Sequence, residues 1–156
     1  MARKQQGASV AKAIVYGGLT AASLDLLSAD LIYRVDLITV MHSIARGWYG
    51  PSAMTGGADV ALVGLASHCG ILTVAAAIFV LTSLRFPVLR RLWWLAGPVF
   101  GLGVWVVMHY LVVPYSHAGQ PIPHWPLKTK GMEELVGHLF LVGLPIAGWA
   151  RRFLGR

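Results

Sequence analysis

Residues 92–113 read LWWLAGPVFGLGVWVVMHYLVV, and no Asp, Glu, Lys or Arg occurs between Leu92 and Leu127. At ~1.5 Å rise per residue, an apolar helix of this length is about one bilayer crossing. A surface helix of a water-soluble protein carries a polar stripe, and this run has none. Its one ionisable side chain, His109, sits near the far end. Gly97, Gly101, Trp105 and His109 recur every four residues and therefore share one helical face. Small residues on such a face let a second helix approach closely. The run predicts the central packing helix of a membrane bundle, with a histidine turned inward.

The whole chain agrees with that reading. Of 156 residues, 56% are hydrophobic and 12% charged, and the mean hydropathy is +0.65. Soluble domains carry about 25% charged residues. The net charge of +7 does not argue for nucleic acid, because the basic residues lie in short clusters beside apolar runs. The single cysteine, Cys69, allows no internal disulfide. No CxxC, nucleotide-binding loop, GxSxG or HExxH pattern occurs, so nothing in the motifs points to an enzyme.

The expected fold is all-α: one domain over residues 1–156, a four-helix membrane bundle with spans at about 11–33, 58–84, 91–113 and 132–151. The first apolar register continues to Tyr33, longer than the core of a cleaved signal peptide. Between the first two spans, Leu37, Val40, Met41, Ile44 and Trp48 recur at helical spacing, with Asp36, Thr39, Ser43 and Arg46 on other faces. This predicts a short amphipathic helix lying in the interface. Pro114, Pro121, Pro123 and Pro126 stiffen the loop before the last span, and Pro114 is expected to end the third. Pro145 is a candidate kink in the fourth.

Positive-inside counting puts both termini in the cytoplasm of a bacterial inner membrane. Arg3, Lys4, Lys12, Arg85, Arg90, Arg91, Arg151, Arg152 and Arg156 fall on one side, against Arg34, Arg46, Lys128 and Lys130 on the other. All six acids and all six histidines then fall in the outer half. Each predicted span supplies an ionisable group there. Asp25 shares a stripe with Gly18 and Ala22, His68 with Ala61 and Gly64, and Glu134 with His138.

An ionisable group inside a membrane helix is costly and points to function. Asp25, His68, His138, Glu134 and His109 are the candidate site. His with carboxylate is a ligand set for transition metals and equally a set for proton handling. The first functional reading is a metal ion or proton bound at this outward-facing cluster, for transport or sensing. The second is a non-catalytic accessory or assembly subunit of a larger membrane complex or homo-oligomer. The third is a b-type haem protein with His68 and His138 as axial ligands. The plainest reading of any single histidine is a hydrogen bond across a helix interface. His117 and His124 in the loop are expected to be solvated, and the bilayer is the one partner the composition requires.

The segments Gly18–Asp25, Met41–Gly47, Ala66–His68, Val107–Tyr110 with Pro114, and Gly137–Pro145 resemble a family of small four-span bacterial inner-membrane proteins of unknown function. The resemblance implies fold and location and lends no activity. That family usually has Asn at the place of His109, which leaves His68 and His138 as the better pair.

Overall fold

The computed structural model describes residues 2–125 and 127–155, with side chains from Gln5 onward. Pro126 and Arg156, and the side chains of Arg3 and Lys4, lie outside the described residues. All regular structure among the described residues is helical. The elements are α1 (Ala2–Tyr33), α2 (Leu37–Tyr49), a 3₁₀ turn (Gly50–Thr55), α3 (Ala58–Arg85), α4 (Val88–Arg91), α5 (Trp93–Val107), a first π turn (Met108–Val112), α6 (Val113–Tyr115), α7 (Thr129–Gly137), a second π turn (His138–Gly143) and α8 (Leu144–Leu154).

Three helices are long and apolar enough to cross a membrane: Gln5–Tyr33, Ala58–Arg85 and Trp93–Tyr115. The stretch Thr129–Leu154 is also helical throughout. Glu133 and Glu134 near its start and Arg151 and Arg152 near its end shorten its apolar centre.

α1 ends where Arg34 turns left-handed, at φ 55°, and its N–H closes onto the Asp30 carbonyl at 2.8 Å. Asp36 then starts α2 as an N-cap, accepting from the Thr39 N–H and the Thr39 hydroxyl, each at 2.9 Å. The Thr39 N–H is the main cause holding the Asp36 carboxyl below its ordinary range. Gly50, at φ 65°, ends α2 with a conformation that suits a residue lacking Cβ.

α1 packs between α3 and α8, α5 lies on the second π turn and α8, and α2 folds back onto α3. Small residues set these distances. A Cβ on Gly18 would stand 2.6 Å from Thr73 Cα, and one on Gly64 would collide with the Met41 carbonyl. On α5, a Cβ on Gly97 would come within 2.9 Å of Leu144 Cα, and one on Gly101 would strike the His138 carbonyl. Gly97, Gly101 and Trp105 are accordingly buried, as their shared face predicts. The core between α1, α3 and α8 is rich in alanine, with Ala21, Ala22, Ala76, Ala147 and Ala150 around Phe79 and Ile146.

One boundary departs from expectation. Pro114 does not end its helix, which runs on to Tyr115. Only Val113 separates the proline from the first π turn, and only Leu144 separates Pro145 from the second. A proline brings no N–H to the ladder and crowds the carbonyl four residues back. A wider π turn just before it accommodates both defects without breaking the rod.

Candidate functional site

The two π turns carry two of the candidate residues, His109 and His138, on neighbouring helices. Each histidine uses Nδ1 in the same way. His109 Nδ1 donates to the Trp105 carbonyl at 3.1 Å, and His138 Nδ1 donates to the Glu134 carbonyl at 2.9 Å. A carbonyl only accepts, so both Nδ1 atoms carry hydrogen. His68, buried on α3, makes the third such contact, with Nε2 donating to the Ala22 carbonyl of α1 at 3.0 Å.

These bonds fix what the rings offer the two carboxylates. Asp25 stands between two histidines. Its Oδ2 is 3.8 Å from His68 Nε2, and its Oδ1 is 3.7 Å from His138 Nδ1. The hydrogens on both facing nitrogens point to the Ala22 and Glu134 carbonyls, so Asp25 lies beside a ring of α3 on one side and of the second π turn on the other, beyond hydrogen-bond distance of both. His109 of the first π turn faces Glu134 of α7, with Nε2 3.4 Å from Oε2. Because the His109 Nδ1 hydrogen is committed to Trp105, a neutral ring would turn a bare nitrogen toward an ionised carboxylate. Two lone pairs at this distance repel. A proton shared by the pair would remove that repulsion.

The two halves of the cluster touch through their rings. His109 and His138 pack edge to face with centroids 5.8 Å apart. Buried Trp105 stacks on His109 at 4.7 Å. Tyr33, at the end of α1, turns its phenol toward Glu134, and Lys130 lies over the Tyr33 ring at 5.0 Å. Side-chain exposure falls along the series, from 24% at Glu134 and 22% at His109 to 17% at Asp25, 14% at His138 and 10% at His68. The cluster opens at Glu134 and closes at His68.

All five residues singled out in the sequence thus meet in one place, joined in two groups. Among the described residues, no group of three or more His, Cys, Asp or Glu is arranged to hold a metal ion. A ligating histidine uses one ring nitrogen and donates from the other, so the nitrogens of His68 and His138 that face Asp25, both bearing hydrogen, are not the ligating atoms.

Other histidines serve the loops. His117 is not simply solvated: its Nδ1 donates to the Trp48 carbonyl at 2.6 Å, and its main-chain N–H to the Gly47 carbonyl at 3.1 Å. Arg46 reaches the Ala118 carbonyl at 3.3 Å, so the loop closes the open end of α2. His42 Nε2 donates to the Gly57 carbonyl at 3.1 Å. Sequence reasoning missed Tyr33, the stacking of Trp105 and the π turns. The prolines following His109 and His138 were the available signal for the last of these.

The chain matches no family model, no curated protein and no solved structure.

Proposed function

We propose that this is a four-span protein of the bacterial inner membrane, with both termini cytoplasmic and α2 lying in the outer interface, and that it senses protonation on the outer side. The observation that carries the reading is the His109–Glu134 contact at 3.4 Å. That pair sits at the most exposed end of a chain of titratable groups. That chain runs from Glu134 and His109 through His138 and Asp25 to His68 and goes no further. Beyond it, toward the arginine end, α1, α3, α5 and α8 carry no acid and no histidine. A conducting path would need relay groups along the full depth. A one-sided chain suits a switch, in which gain or loss of a proton changes how α1, α3, α5 and α7 are held together.

The test uses uniformly oriented vesicles. The external pH is stepped between 8 and 5 at constant lumenal pH while tryptophan emission is followed. Stacked on His109, Trp105 reports charge on that ring. The emission change is expected from the side bearing the 116–128 loop and from that side only, and Trp105→Phe removes it. A protein-dependent proton leak, or an equal response to pH on either side, would defeat the sensing reading.

A further inference from the structure

The opposite end of the molecule carries a second feature with a chemistry of its own. Phe140, Leu144, Gly148 and Arg152 follow one another at four-residue steps and line an open groove. Thr20 of α1 stands on one side of it and Trp93 of α5 on the other. From Phe140 to Arg152 the floor is about 18 Å long at the helical rise, close to one leaflet of a hydrocarbon core about 30 Å thick. The floor is apolar, and Gly148 leaves it hollow.

The mouth is cationic. Arg152 lies over the Trp149 ring at 5.5 Å. Trp149 is fixed by a 3.1 Å bond from its Nε1 to the Thr20 hydroxyl and by stacking on Phe153. Beside it, Arg151 reaches the main-chain carbonyls of Arg90 and Arg91, each at 3.4 Å, while the Arg90 guanidinium turns away to the Ser83 carbonyl, so Arg152 is the cation that lines the groove. No acid balances it, because every Asp and Glu lies toward the other end.

We infer that this groove binds an anionic phospholipid, with one acyl chain along Phe140, Leu144 and Gly148 and the phosphate at Arg152. A free phosphate would use only the mouth, and an uncharged lipid only the floor. The combination selects a molecule with both parts, and basic pockets between helices are a known form of such sites.

The experiment is native mass spectrometry of the full chain released from an uncharged maltoside detergent, with phosphatidylglycerol or phosphatidylcholine of the same acyl chains added. The wild type is expected to retain phosphatidylglycerol preferentially. Arg152→Gln should cut that retention about fivefold, as expected for one surface cation at ~1 kcal/mol, and leave phosphatidylcholine unchanged. Gly148→Leu, checked for native helicity by circular dichroism, should lower retention of both lipids. The inference is overturned if the wild type holds both lipids equally, if Arg152→Gln keeps the preference, or if equimolar inorganic phosphate displaces phosphatidylglycerol completely.

Discussion

His109 Nε2 and Glu134 Oε2 stand 3.4 Å apart across two helices, and because His109 Nδ1 is committed to the Trp105 carbonyl, Nε2 is the atom left to meet Glu134. Glu134 has a second role, since its main-chain carbonyl receives His138 Nδ1. One residue of α7 therefore organises two histidines, one through its side chain and one through its backbone. Glu134→Ala removes only the first role. It should cost about 1.5–3 kcal/mol, the range for a hydrogen bond to a charged group, while His138 keeps its bond. Thermal unfolding in detergent measures the loss. An unchanged midpoint would mean that the pair contributes nothing to holding the first π turn against α7.

The close approach of α5 to the second π turn depends on glycine. A Cβ on Gly101 would strike the His138 backbone, whereas one on Gly103, two residues on, would meet nothing within 4 Å. Gly101→Leu should destabilise by about 1–3 kcal/mol through overpacking. Gly103→Ala should be neutral or stabilise by about 0.5–1 kcal/mol, as Ala replacing Gly inside a helix does. Equal melting temperatures for the two variants would contradict the packing described here.

Asp36 makes a pH prediction at the start of α2. Its carboxyl is held below the usual carboxylate range, chiefly by the Thr39 N–H. A carboxyl lowered on folding contributes stability that is present above its unfolded value and is lost as pH falls through the lower folded value. The first turn of α2 should hold at pH 5 and above and fray progressively below about pH 4. Hydrogen exchange at Thr39 and Val40, corrected for the intrinsic pH dependence, checks this. Asp36→Ala should show the frayed rate at every pH.

The topology has its own test. With Cys69 replaced by Ser, a cysteine at Gln120 should react with an impermeant thiol reagent from outside whole cells, and one at Val88 should not. The opposite labelling would invert the assignment of the acid-rich end to the outer side and move the proposed sensor into the cytoplasm.

Much of this arrangement was legible from residue spacing. The four-residue recurrence of Gly97, Gly101 and Trp105 marks a face that is in fact buried, and the stripes of Asp25 and His68 mark the helix faces that meet. Three things were not legible. Periodicity analysis assumes 3.6 residues per turn, so the π turns at His109 and His138 escape it. The pairing of Asp25 with two histidines depends on which helices are neighbours, and spacing within one helix carries no such information. The ring nitrogens beside Asp25 are engaged by the carbonyls of Ala22 and Glu134, and no sequence pattern reports that.

The central claim is that two carboxylates govern the charge of three histidines. Selective ¹⁵N labelling of histidine, with NMR titration of the protein in bilayers between pH 5 and pH 8, tests it directly. A carboxylate a few ångströms from an imidazole perturbs that ring electrostatically. Glu134→Gln should therefore change the ring ¹⁵N signals of His109, and Asp25→Asn those of His68 and His138. His42, His117 and His124, which touch neither carboxylate, should give the wild-type signals. If His68, His109 and His138 give identical signals in the wild type and both variants, the cluster is a set of structural hydrogen bonds and the sensing account fails.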